Sequence, residues 1–197
     1  MMKRTRKAYV PTRTELEGLL AIVKEDGRYG LRNHAMLHMS YFAGLRAKEI
    51  AMLKIGDLFV NGELKTSTYL DAEQTKGNQP RRISLVDKKL RSTISNYALV
   101  ENLSSKSTTA PLFTNQSGGS FTANGVVHLF KKLYNKVDLP CSSHSGRRYF
   151  ATQLGNTPGI TTKQMMVLGG WSQPNVAMEY VETNDEQLDE LVGRSTL

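Results

Sequence analysis

The sequence predicts a mainly α-helical domain with a small antiparallel β-sheet, an α+β fold. Three observations predict it. Apolar residues recur at helical spacing over most of the chain, as in "TRTELEGLLAIVKEDG" and "TANGVVHLFKKLYNKVDL". One stretch, "TSTYLDAEQTKGNQPRRISLV", changes character: two β-prone runs flank Lys-Gly-Asn-Gln-Pro, the composition of a hairpin turn. The 197 residues are 39% hydrophobic and 22% charged, which is globular composition at the length of one ordinary domain. At that length roughly 70% of the extended surface is buried on folding, so no metal or disulfide staple is needed.

The elements follow in chain order. Residues 1–11, "MMKRTRKAYVP", form a basic arm, either a solvated tail or a DNA contact. In the first helix Leu16, Leu19, Leu20 and Val23 recur at helical spacing; Thr14 is a candidate cap with Glu17 three residues later, and Gly27 ends the helix. "LRNHAMLHMSYFAG" is apolar on most sides and is expected at the centre of the fold. His34 and His38 stand four apart there, but with no acidic third ligand nearby a packing or surface role is the better reading than metal. "RAKEIAMLKIGDLF" starts a short third helix, and the hairpin comes next. "DKKLRSTISNYALVENL" returns to helical periodicity, followed by a polar, glycine-rich surface loop around "PLFT". The next helix is capped by Thr122 and closed by Pro140. "SSHSGRRYFATQLGN", "TTKQMMVLG" and "PNVAMEYVE" give three successive helices with short breaks. Residues 184–197 give a last amphipathic one with Leu188 and Leu191 on one side.

Charge and cysteine count narrow the function. Lys plus Arg number 26 against 18 for Asp plus Glu, a net +8 that favours polyanions, with nucleic acid the first candidate. The single cysteine, Cys141, excludes an internal disulfide and a cysteine-based zinc cluster. No apolar run approaches the ~20 residues of a membrane span. No apolar signal core follows the basic N-terminus. A cytoplasmic protein without membrane, metal or cofactor is expected.

Four patches carry chemistry. "AGLRAKEI" places Arg46 at a helix start with Glu49 one turn along, the spacing of an ordinary surface ion pair. "TKGNQPRRISL" puts Lys76 at the hairpin tip. "SHSGRRYFATQL" puts His144 and Arg147 three apart, on one face of a helix. "LGGWSQPNVAMEY" holds the only tryptophan, Trp171, nine residues before Tyr180.

Taken in this order, the patches resemble the tyrosine recombinase family, the phage integrases and their relatives. The family's hallmark is arginine, lysine, histidine-x-x-arginine, histidine or tryptophan, and tyrosine. Here these fall on Arg46, Lys76, His144, Arg147, Trp171 and Tyr180, with Glu49 at the family's acidic position. Many members carry Leu-Gly-His in the last box; this chain resembles the Cre-like Gly-Gly-Trp variant. The likeness spans about residues 12 to 185. It implies a catalytic domain over residues 12–183, a tail helix over 184–197 and absence of the family's N-terminal core-binding domain.

The chemistry agrees with the resemblance. Two guanidiniums, always charged and presenting paired donors, suit the non-bridging oxygens of a five-coordinate phosphorus. A tyrosine nucleophile with a pKa near 10 needs its proton taken or shared, a role for His144. Lys76 is the candidate acid for the leaving oxygen, and Trp171 can donate its indole N–H to a phosphate oxygen and pack the tyrosine's helix. Glu49 is expected to orient Arg46 or His144. The resemblance thus implies a site-specific recombinase that cleaves and rejoins double-stranded DNA through a 3′-phosphotyrosine. Its expected partners are specific recombination sites and further copies of itself, as a tetramer on paired sites. The alternatives are a type IB topoisomerase-like enzyme and a catalytically idle DNA-binding accessory module.

Overall fold

The computed structural model describes residues 8–75 and 78–181. Most of the basic arm, Lys76 at the hairpin tip, and the expected tail helix with Leu188 and Leu191 lie outside the described residues. The chain divides into two compact units, Met1–Phe150 and Ala151–Leu197.

The first unit is a helical core with two small β-ribbons. Helix α1 (Arg13–Lys24) buries Leu16, Leu19, Leu20 and Val23, the predicted stripe. Its cap is Thr12 rather than Thr14: the Thr12 hydroxyl accepts from the Glu15 amide, and Glu15 reaches back to the Thr12 amide at 2.7 Å. Both threonines have an acidic residue three positions on, and Thr12 is the one where the chain turns from extended backbone. Glu17 instead pairs with Arg13 and Lys89 on the surface. The helix stops at Lys24, short of Gly27, which opens a 3₁₀ turn, Gly27–Tyr29.

Helix α2 (Gly30–Phe42) is central, as its all-round apolarity predicts, and packs against α1 and α5 (Lys88–Val100). His38 is buried within it and its ring lies 4.4 Å from that of His34. Burial, reinforced by Lys24, lowers the His34 pKa to about 4. Burial, reinforced by His34 and Lys89, lowers that of His38 to about 3.

The expected third helix is two pieces, α3 (Ala47–Met52) and α4 (Ile55–Leu58). The break has a backbone cause. Residues 53–55 exchange bonds with the "PLFT" loop: Leu112 N–H donates to the Leu53 carbonyl at 2.8 Å, and Ile55 N–H to that of Ala110 at 3.0 Å. A chain pairing sideways cannot also complete the helical ladder.

Two ribbons replace the one expected sheet. Strands β1 (Phe59–Val60) and β2 (Glu63–Leu64) turn tightly at Asn61 and Gly62, both with positive φ. Strands β3 (Ser67–Leu70) and β4 (Arg81–Ser84) form the predicted hairpin, in register Ser67↔Ser84 to Leu70↔Arg81. Its connection is longer than the five-residue turn expected, because the 3₁₀ turn Ala72–Gln74 follows β3. Helix α6 (Ala123–Asn135) is capped by Thr122 as expected, packs on α3 and ends before Pro140.

Helix α7 (Ser145–Gly155) carries the chain from the first unit into the second. There α8 (Thr162–Gly169) and α9 (Pro174–Met178) pack on each other, burying Met165 and Ala177. The three successive helices are the predicted ones. Among the described residues no helix is long and apolar enough to cross a membrane. None of their His, Cys, Asp and Glu side chains form a group of three or more that could hold a metal ion.

Candidate active site

Helix α2 ends at Phe42, and the chain must reverse to start α3. Gly44 makes the reversal with φ +64, and a Cβ there would stand 2.4 Å from the Phe150 ring, so only glycine fits. The reversal leaves the Gly44 carbonyl turned to two arginines. Arg147 donates to it through Nη1 at 2.8 Å, and Arg81 through Nη2 at 3.2 Å.

Arg46 takes the N-cap position of α3. Glu49, one turn on, accepts the Arg46 amide at 2.8 Å through Oε2 and the Arg46 guanidinium at 2.9 Å through Oε1. This is the reaching-back half of a capping box, with a charge pair added. Arg81 closes the other side. Its Nε donates to Oε1 at 3.1 Å and its Nη2 to Oε2 at 2.8 Å. The Glu49 side chain is fully buried and Arg46 keeps 20% of its side chain exposed. Burial alone would raise the Glu49 pKa; the charge and hydrogen bonds of Arg81, then the amide and charge of Arg46, outweigh it and hold the carboxyl below its ordinary value. A spacing that alone would suit a surface ion pair is here part of an interior cluster.

Arg147 lies in the first turn of α7 and is buried. His144 is exposed and sits in the turn just before the helix, its carbonyl accepting from the Arg148 amide at 2.9 Å. His144 is therefore the residue that caps α7 rather than one within it: the Ser142–Ser145 turn, in which the Ser145 hydroxyl accepts from the Ser142 amide, begins the helix one residue later than expected.

In the second unit the last sequence box folds as a compact turn. Gly170 caps α8 in the left-handed region with φ 59. A Cβ at Gly169 would fall 2.2 Å from the Trp171 ring, so the two glycines let the indole fold back along the helix end. Helix α9 starts with Pro174 and ends at Met178, so Tyr180 stands just beyond it, its amide donating to the Ala177 carbonyl. Expected on the helix, it lies instead on the turn that leaves it. The Tyr180 and Trp171 rings stack with centroids 5.2 Å apart and planes 16° from parallel. Gly155, at the end of α7, lies against the same segment: a Cβ there would meet the Tyr180 carbonyl oxygen at 2.0 Å.

Of the sequence candidates, Arg46, Glu49 and Arg147 are thus assembled by the first unit around the Gly44 turn. Trp171 and Tyr180 are paired by the second. Lys76 lies outside the described residues. Arg81 was missed. The signal for it is the alternation of "RRISL", which puts Arg81 on the same strand face as the buried Ile83 and Leu85. An arginine at an inward strand position demands a buried acid.

Residues 10–187 match the phage integrase family. The chain is 30% identical over 179 residues to tyrosine recombinase XerC of Bacillus licheniformis, across 88% of this chain and 57% of that protein. It therefore spans little more than half the length of this relative. Its fold resembles that of the Tn1549 transposon integrase in complex with transposon right end DNA, with TM-score 0.75, 17% identity, and coverage of 100% of this chain and 69% of that one. It also resembles XerA recombinase, with TM-score 0.72, 20% identity, and coverage of 98% and 66%. The chain belongs to the phage integrase family.

Proposed function

We propose that this protein is a site-specific tyrosine recombinase that cuts and rejoins duplex DNA through a 3′-phosphotyrosine. One observation carries the reading: a buried carboxylate and the carbonyl of a glycine turn fix the guanidiniums of Arg46 and Arg147 in advance of any substrate. Donors fixed before the reaction need no reorganisation as charge builds on a phosphate. The relatives named above carry recombinase and integrase names, which disfavours the topoisomerase and idle-module alternatives.

In this reading Arg46 and Arg147 hold the non-bridging oxygens. The Tyr180 phenol oxygen attacks phosphorus and its proton passes to His144. The bond to the 5′ oxygen breaks, and Lys76 protonates that oxygen as it leaves. Trp171 takes the place that many family members give to histidine, as in the Cre-like Gly-Gly-Trp form, and its stacking on Tyr180 supports a role in orienting the phenol. The 5′-hydroxyl of a second strand then attacks the phosphotyrosine and returns the tyrosine. Each bond broken is matched by one formed, so neither metal nor nucleotide is required. The DNA partner is a duplex bearing recombination sites, with copies of the protein meeting on paired sites.

The test is covalent capture. The protein is incubated with a pool of nicked suicide duplexes of randomised sequence, and denaturant-resistant adducts are isolated and sequenced. A wild-type adduct that enriches one sequence and disappears in Tyr180→Phe is the expected result. No adduct from the wild type, or one that persists in Tyr180→Phe, overturns the proposal.

A further inference from the structure

We propose that Arg81 is a positioning residue for cleavage, which sets Arg46 through Glu49 and Arg147 through the Gly44 carbonyl. Three observations lead there. Arg81 is the only side chain bonded both to the Glu49 carboxylate and to the Gly44 carbonyl among the described contacts. It meets both carboxylate oxygens, so it fixes the plane of the carboxylate as well as its position. Its Nε and Nη2 are both taken up by Glu49 and the Gly44 carbonyl, so it supports the site from beneath.

The geometry explains why a second arginine is needed. Glu49 bonds Arg46 at both its amide and its guanidinium. A buried carboxylate with Arg46 alone would be free to rotate about its last bond and would carry a large desolvation cost. Arg81 removes both problems. Because it belongs to β4, it also ties the return strand of the hairpin to the turn between α2 and α3. The Gly44 carbonyl is in turn shared with Arg147, so one guanidinium touches the supports of both proposed phosphate ligands. A lysine could not do this, since a single ammonium cannot meet two carboxylate oxygens and a carbonyl in one plane.

The inference rests on the recombinase reading, and its test separates the two. The substrate is the duplex recovered by covalent capture with the wild type; failure to recover one counts against the function, not against Arg81. Full-length Arg81→Met, Arg81→Lys, Glu49→Gln and Arg81→Met/Glu49→Gln are compared for binding to uncleaved duplex and for single-turnover adduct formation. Arg81→Met is expected to bind with the wild-type Kd yet form adduct about 100-fold more slowly, the scale of an ~1 Å misplacement of a reacting group. Arg81→Lys is expected to fall between the two, and it is the variant to read if Arg81→Met does not fold. The double variant should be no slower than the slower single one, since both changes act through the same carboxylate. Wild-type rates in both Arg81 variants overturn the inference. So does a rise in Kd that accounts for the lost rate, or fully multiplicative effects in the double variant.

Discussion

Glu49 is the residue on which the most depends. It is fully buried and neutralises Arg81, which has almost no access to water. Glu49→Ala should therefore cost about 3–5 kcal/mol of stability, the usual consequence of leaving a buried charge without its partner. Urea unfolding followed by far-ultraviolet circular dichroism measures it, and a loss below 1 kcal/mol would show that water or another group takes over the guanidinium. Arg147, whose guanidinium donates to the Gly44 carbonyl, is read for its effect on the reaction rather than on folding. Arg147→Ala is expected to lose about 3–4 kcal/mol of transition-state stabilisation, with Arg147→Lys recovering little of it. Adduct-formation rates on captured duplex give the number, and a wild-type rate for the alanine variant would remove Arg147 from the site. These residues were legible in sequence because they come in short boxes whose order survives in the chain. Arg81 was not, because its meaning depends on the strand face it occupies and on an acid 32 positions away.

At the scale of elements, sequence periodicity found every helix of four turns or so and missed what depends on neighbours. The buried stripe of α1 follows from spacing alone, whereas the choice between Thr12 and Thr14 as its cap does not. The structure decides for Thr12, so Thr12→Ala should destabilise the protein by roughly 1 kcal/mol while Thr14→Ala leaves it unchanged. Paired thermal melts distinguish them, and equal losses would mean that the helix frays to either cap. The split of the third helix into α3 and α4 was invisible for a related reason. Nothing in "MLKIGD" announces it; the cause is backbone pairing with a loop more than fifty residues further on. The long hairpin connection and the second ribbon were missed similarly, since two-residue strands carry too little pattern to register.

For the molecule as a whole, net charge is the most general determinant of behaviour. A surplus of eight basic groups should make duplex binding steeply dependent on salt, with a log–log slope of about 0.9 for each phosphate neutralised. Fluorescence anisotropy across a salt series reads the slope, and a value near zero would exclude an electrostatic interface. The fold class follows from the periodicity, but the division into an arginine-holding unit and a tyrosine-holding one, and the seat of the tyrosine, do not. That seat is main chain resting on main chain, Tyr180 against the bare backbone of Gly155. It follows that mutational tolerance here is set by a side chain the protein lacks. Position 155 should accept nothing but glycine in a selection for recombination, while Gly18, with open space around it, should accept most residues. Gly155→Ala adds a single methyl group, yet it has to push the nucleophile's own backbone aside. It should silence cleavage in a protein that still folds and still binds DNA, and an active alanine variant would show that the Tyr180 segment can give way without losing its aim.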